Sequence, residues 1–359
     1  MDQNLTFATD DTPTVLGIDL GGGALKLWGP AGGVELPNQI AALTATRPTA
    51  RAAGLTRKRP PLIVQLDGTG FYVGPRAHDK GRPLENLGDD RFEGSPEVTA
   101  LLYGGLSTYA KKYTPQDQGD PPVNLDHLDA VVGLTQSAMG IDGIGASVRR
   151  WLTGDHHWVA HHPITTTRTQ QVDSVVTVDG VAVTTQAAGA VFDYFLDLGG
   201  GFVPERKGSF KEEIGIVSVG MNTLELLVLR KGSPVDRFVA SETAGVRRLL
   251  ELVDPRGLYS RGELDAKLRE GSLYIPDHLP VWSAEILGHV ERVWGSAYMR
   301  FAKVIVVGGG VLLLGQRLTA GLNGKAFVPD EPILSVSRGL YKLGTQRANR
   351  AARKSQGTR

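Results

Sequence analysis

The stretch Val15–Gly29, VLGIDLGGGALKLWG, sets an acid two residues ahead of three consecutive glycines and a lysine three residues after them. Apolar residues on both sides read as two short strands, 14–20 and 25–28, with the glycines as the turn. Such a turn serves one of two ends. Glycine adopts backbone angles closed to other residues, which a tight hairpin can use. It also lets an anion approach the main chain, because several N–H groups then face one concavity with no Cβ in the way. On the second reading Gly21, Gly22 and Gly23 lie against phosphate oxygens and Lys26 reaches them as a point charge. Asp19 would repel a phosphate unless a hydrated magnesium ion stood between them.

The same pattern recurs 199 residues later. Setting IDLGGGALKL (18–27) over VSVGMNTLEL (217–226) aligns Gly21 with Gly220, Leu25 with Leu224 and Leu27 with Leu226. Two strand, turn, strand units one domain apart predict a duplicated fold with a cleft between the copies. A third cluster, KVIVVGGGVLLLG (303–315), runs a buried strand into Gly308, Gly309 and Gly310, where a flat ring could lie against the backbone. The dinucleotide fingerprint GxGxxG is incomplete in both GGG clusters, since Lys26 and Leu313 stand where its last glycine belongs. A GxxxxGK[ST] phosphate loop is absent from the chain.

Composition suits a globular, two-domain protein: 41% of the 359 residues are hydrophobic, enough for two cores. Apolar runs fall short of the ~18 residues of a membrane helix. The opening MDQNLTFATDDTPT is polar and acidic where a secretory signal is basic and then apolar, so the expected location is cytoplasmic. Without cysteine there is no disulfide, thiol nucleophile or cysteine metal ligand. The 39 basic and 38 acidic residues create no overall field toward nucleic acid or anionic lipid. Neither direct sequence-specific DNA binding nor membrane attachment is expected.

Strand-like runs alternate with helix-length segments, an α/β pattern. Strands are predicted at 14–20, 25–28, 62–66, 70–73, 129–134, 172–177, 181–185, 214–219, 224–229, 303–307 and 326–328. Helices are predicted at 96–112, 187–197, 241–253, 260–270, 280–300 and 335–348. Segments 43–61 and 113–124 read as loops or insertions, and the last dozen residues as disordered.

With three glycine sites in this order, the chain resembles the actin, sugar-kinase and heat-shock-chaperone ATPases, and among them the bacterial and archaeal actin-like proteins of the ParM type. The likeness covers 13–348 and includes DDRFEGSPEVTALLYGGLSTYA (89–110), LDAVVGLTQS (128–137), VRRWLTGDHHW (148–158), VDSVVTVDGVAVTTQAAGAVFDYFLD (172–197) and ILSVSRGLYKLGTQ (333–346). It implies a duplicated actin-like, ribonuclease H-like fold with ATP or ADP and Mg2+ in a cleft between two domains. The first domain would take 13–190 and 333–348, with a small insertion at 38–88. The second would take 191–332, with a smaller part at 233–290, leaving 1–12 and 349–359 as disordered ends.

By position in the family pattern, Asp19, Gly21, Gly22, Gly23 and Lys26 match the first phosphate motif, with Asp19 reaching the metal through water. Ser218, Gly220, Asn222 and Thr223 match the second, and Gly308, Gly309 and Gly310 the adenosine motif. Gln186 falls where relatives place a Gln or Glu that orients the attacking water, a positioning role rather than a base. Taken alone it is equally a helix cap before Ala187. SETAGVRRLLELV (241–253) resembles the helix on the ribose and adenine side, which makes Arg248 and Glu251 candidates, although on an amphipathic helix both can simply face water. One departure stands out: where relatives read DxGxxTxD, this chain reads SVGMNTLE (218–225), with Ser218 for the first acid and Glu225 for the last. The resemblance then implies nucleotide binding with weaker metal affinity or slower hydrolysis than in relatives holding both acids.

The activity implied is an ATPase whose subunits add head to tail into filaments that hydrolysis destabilises, serving plasmid or DNA segregation through a DNA-bound adaptor protein. Head-to-tail contacts are heterologous and generate open helices. A small-molecule kinase would need a carboxylate base where Gln186 stands. A non-hydrolysing nucleotide-binding filament protein stays compatible with Ser218. Of the remaining features, HHWVAHH supplies His156, His157, His161 and His162, but adjacent residues of a strand face opposite ways and Asp155 is the one acid nearby. No metal site is expected there. The basic run Arg47, Arg51, Arg57, Lys58 and Arg59 reads either as a filament contact or as a solvated loop.

Overall fold

The computed structural model describes residues 13–43, 59–81, 83–84, 92–115 and 119–357. Its first strand, β1 (Thr14–Leu20), is buried from Val15 onward, as a strand covered on both faces must be. It turns at Gly21–Gly23 and pairs antiparallel with β2 (Ala24–Gly29), which pairs antiparallel with β3 (Gly32–Pro37). On its other side β1 runs parallel to β7 (Asn124–Leu134), and β7 to β9 (Thr169–Thr185). Beyond β9 the sheet continues through β8 (Gly154–Pro163), β5 (Leu62–Leu66), β6 (Thr69–Val73) and β4 (Ile40–Ala42). The insertion strands thus extend the main sheet.

A second sheet repeats the central order. β10 (Glu213–Val219) turns at Gly220 into β11 (Leu224–Arg230), which pairs with β12 (Ser233–Pro234) and β13 (Ala240–Glu242). β10 runs parallel to β14 (Lys303–Val307), and β14 to β15 (Ala326–Phe327). The order β12-β11-β10-β14-β15 matches β3-β2-β1-β7-β9 in both sequence and sense. The two halves are therefore copies of one topology.

Helices α1 (Pro96–Tyr113) and α3 (Ile144–Leu152) cover one face of the first sheet, and the short α2 (Gln136–Met139) follows β7 directly. α4 (Gln186–Phe195) continues from β9 and leads through α5 (Pro204–Lys207) to the second sheet. There α6 (Val246–Val253), α7 (Arg261–Arg269), α8 (Leu279–Trp294), α9 (Gly310–Leu314) and α10 (Gln316–Ala320) surround a second core centred on Trp282 and Trp294. α11 (Ser335–Gly357) returns to lie with α4 between the sheets. Ala190 and Phe195 of α4 and Leu340 and Leu343 of α11 pack there with Val131, Ile214, Ile216 and Ile305. The two helices touch backbone to backbone, since a Cβ on Gly339 would run into the Gly189 carbonyl, and α11 rests as closely on β1, where a Cβ on Gly17 would run into the Ser337 carbonyl.

Several sequence expectations need correction. Segments 172–177 and 181–185 form one strand, because Gly180 does not turn; it lets β9 pass the Asp129 carboxylate, which any Cβ would strike. The helix predicted at 241–253 starts at Val246, since Ala240–Glu242 pairs with β11 instead. The one predicted at 280–300 changes to a 3-10 helix at Gly295. The closing helix runs to Gly357, so the disorder expected from 349 does not hold across the described part. Its sequence there, rich in Ala, Arg and Lys without proline, favours helix, and cations near a C-terminus complement the helix dipole. β3, β4, β8, β12 and β13 were not foreseen. Residues 1–12 and most of the basic run, Arg47, Arg51, Arg57 and Lys58, lie outside the described residues; Arg59 donates to the Pro163 carbonyl. None of the described helices is long and apolar enough to cross a membrane.

Candidate functional site

Both glycine hairpins open onto one cavity of about 370 Å3, the size of a small-ligand site. Asp19 and Lys26 sit directly opposite each other on β1 and β2, which puts both side chains on the same face. Their ion pair spans 3.2 Å, and the Asp19 side chain is only 5% exposed. Gln186, the first residue of α4, donates its side-chain amide to Asp19 Oδ1 at 2.7 Å. A carboxylate can only accept there, so this partner fixes which way the amide faces. Capping of α4 falls to Thr185, whose hydroxyl accepts from Ala188 N at 3.1 Å. Gln186 is thus left facing the cavity.

The glycines of the first turn answer to close approach rather than to unusual angles, for Gly21, Gly22 and Gly23 are not among the positive-φ residues. A Cβ on Gly21 would meet Lys26 Nζ, and one on Gly23 would meet Met221 at 2.7 Å. The two turns therefore touch across the cleft. Asn38 braces the first turn, donating its side-chain amide to Gly21 O at 2.7 Å and its backbone N–H to Gly23 O at 3.0 Å. In the second turn Gly220 N–H bonds to Thr223 O at 2.9 Å, while the carbonyls of Gly220 and Met221 accept from Val246 and Arg247 at the start of α6. Ser218, Gly220, Asn222 and Thr223 all line the cavity.

The third cluster divides its work. Gly308 has φ +98° and abuts the Val219 carbonyl, so no other residue fits there; Gly309 is open to the cavity. Gly310 does not line it. A Cβ there would press on Val219 and Trp282, which makes it a packing residue at the start of α9. Leu312, Leu313, Ile333 and Leu268 give that side of the cavity an apolar wall.

Two predicted residues stand apart. Arg248 and Glu251 do not line the cavity: Arg248 forks onto Glu285 at 2.8 and 2.9 Å, and Glu251 accepts from Arg247 one helical turn away. That side of the cleft is supplied instead by α7. Arg269 bonds Asp265 at 2.9 Å on its own helix and Glu35 of β3 at 2.7 Å, joining the two halves across the cavity. These residues escaped the sequence reading, as did Thr135 and Ser137 after β7. Only the pairing of Glu35 with Lys26 on β2 puts it at the cleft. Asp19 and Ser218 form a buried floor, whereas the Arg269 and Glu35 side chains are 31% and 25% exposed at the rim.

Glu225, opposite Ser218 on β11, is 4% exposed and accepts the Gln136 N–H of the other half at 2.9 Å. Burial pushes its pKa up to about 7, and the nearby Asp19 charge adds to the rise. The four histidines do not assemble a metal centre: among the described residues no group of three metal-ligating side chains occurs. His156 bonds Tyr103 and Leu152 O, and burial drives the His162 pKa down to about 4, keeping it neutral.

No protein-family model matches the sequence, and no curated protein matches it significantly. Solved structures do. An actin-like protein, Alp7A, is 13% identical with a TM-score of 0.70, covering 96% of this chain and 99% of its own. A ParM in a 15-stranded filament from Clostridium botulinum is 17% identical with a TM-score of 0.63, covering 93% and 99%. An archaeal actin homologue in complex with ADP is 18% identical with a TM-score of 0.61, covering 94% and 99%. The fold is therefore actin-like over nearly the whole chain.

Proposed function

We propose that the chain binds ATP or ADP with magnesium in this cleft, hydrolyses ATP, and assembles head to tail into filaments. The observation that carries the proposal is the meeting of two equivalent hairpins, turn to turn, over one cavity in which Asp19 is held by both Lys26 and Gln186. The fold it shares with a filament-forming ParM and an ADP-bound actin homologue supports the same reading. Gly21–Gly23 and Gly220 would admit the phosphates to backbone N–H groups, Lys26 would add a point charge, and the apolar wall beside Gly308 and Gly309 would take the base.

The donor set fits magnesium. Among the described residues Asp19, Glu35 and Asp265 line the cavity against only Lys26 and Arg269, so a bare polyphosphate meets a surplus of acid. Asp19 would hold the metal through water, with the Ser218 hydroxyl beside it. The ion supplies neutralisation of phosphate charge. Gln186, fixed by Asp19, orients a water molecule and takes no proton, and most of the rate comes from such positioning. A kinase acting on a hydroxyl would need a carboxylate at that position, which favours water as acceptor. Filaments of this kind would serve plasmid or DNA segregation through an adaptor protein.

Sedimentation with and without magnesium ATP, followed by electron microscopy of the pellet, tests the proposal. Pelleting filaments that form with ATP and shorten as phosphate is released are expected. A chain that stays in the supernatant at high concentration with every nucleotide refutes assembly. Stable filaments without phosphate release would instead favour the non-hydrolysing form that Ser218 allows.

A further inference from the structure

Arg338 and Lys342 of α11 are held by Asp193. Farther along the same helix Arg347, Arg350 and Arg353 are all exposed, and none of the three meets a carboxylate among the described residues. We propose that this end of α11 is a docking face for the phosphate backbone of duplex DNA, bound through charge and without regard to base sequence. The face lies away from the nucleotide cleft and does not depend on it.

Three observations converge. First, a helix rises about 1.5 Å per residue, so arginines three apart set one guanidinium about every 4.5 Å along the axis. One DNA strand offers a phosphate about every 3.4 Å of its axis, a spacing that long, forked side chains can follow. The exposed Lys354 adds a fourth cation beside them. Second, the segment holds charge and little else. No acid follows Glu331, and RANRAARKSQGTR (347–359) contains no apolar side chain larger than alanine. A helix that docks in a protein groove needs large apolar anchors, and one that lies on a membrane needs an apolar face. A polyphosphate needs neither, since released counterions drive its binding. Third, the helix is fixed so that these arginines face outward. Gln346 and Asn349 donate to the carbonyls of Gly200 and Gly199 at 3.1 and 2.9 Å, which turns that side of α11 to the body. Arg347 and Arg350 each follow one residue later, about 100° further round. Asp197, the acid of the same loop, accepts the Gly201 N–H at 2.9 Å. The helix continues to Gly357, so the cations sit on a regular rod and not on a loose tail.

Fluorescence anisotropy of labelled duplexes of two unrelated sequences, titrated with the full chain over a range of sodium chloride, tests the inference. Nucleotide is left out, so that assembly does not enter and failure here says nothing against the cleft. Both duplexes should bind alike, with the logarithm of affinity falling linearly with that of salt. The triple variant Arg347→Gln, Arg350→Gln, Arg353→Gln should flatten that slope by about 2.7, three counterions at about 0.9 each. Lysine at the same three positions should restore the slope, which separates lost charge from a disturbed helix. Thermal unfolding should be the same in all three chains, because the side chains are exposed. Absence of duplex binding by the wild type, an unchanged slope in the glutamine variant, or a marked preference between the two sequences overturns the inference. So does polyglutamate that competes as well as unlabelled duplex at equal charge, which would make the partner an acidic protein surface.

Discussion

Gln186 is the residue whose surroundings most narrow its role. Its amide is held by Asp19, its helix is capped by Thr185 instead, and Gly133 of β7 lies against it. Gln186→Ala is expected to slow phosphate release by about a hundredfold, the scale of losing one oriented polar group at a reacting centre, while ADP affinity stays at the wild-type level. A coupled-enzyme phosphate assay beside an ADP titration checks the split. Loss of both together would make Gln186 a support for the cleft rather than an orienting group. At this scale the sequence was legible wherever the chemistry is local: Asp19, the glycines and Lys26 lie within eight residues, and the structure brings them together. It was illegible where partners are distant. Glu35 and Arg269 are 234 residues apart, and neither has a neighbour that hints at the other.

At the level of elements, the junction of α4 and α11 depends on a buried charge cluster. Asp193 accepts from Ser335 at 2.7 Å, from Arg338 twice at 2.7 Å and from Lys342 at 2.8 Å. These cations outweigh the burial that would otherwise raise it, holding the Asp193 carboxyl below the usual range. Asp193→Ala removes the common acceptor and leaves two cations in a poorly solvated place, with an expected loss of about 3–5 kcal/mol of stability. Chemical denaturation measures it, and a loss below about 1 kcal/mol would show that water replaces the carboxylate freely. Strand boundaries were harder to foresee than helices for related reasons. Asp179 and Gly180 read as a turn signal, but Gly180 lies against the Asp129 carboxylate of β7 and the strand runs on. Gly32, Gly33 and Pro37 similarly obscured β3, whose pairing with β2 overrides their weak strand propensity.

For the whole molecule, the rim of the cleft is closed by the Glu35–Arg269 pair, backed by Asp265. A nucleotide would have to pass this pair to leave. Glu35→Gln is expected to speed ADP release by about fivefold, the equivalent of roughly 1 kcal/mol for a partly exposed ion pair. High salt should reproduce the effect in the wild type and add little to the variant. Stopped-flow displacement of a fluorescent ADP analogue reads both. Release that is the same in the variant and the wild type at low salt would mean that the rim does not limit exchange. Such a rim would make nucleotide turnover respond to ionic strength before any partner is bound.

The crossing of Gly189 and Gly339 carries a different consequence. Where helices interlock through side chains, rotating one past the other means that each tooth must climb out of its socket. At the crossing point main chain rests on main chain, while Val336 and Leu340 of α11 lie against Gly189. The two sheets flank a close main-chain crossing, with the Asp193 cluster fastening it a turn further along.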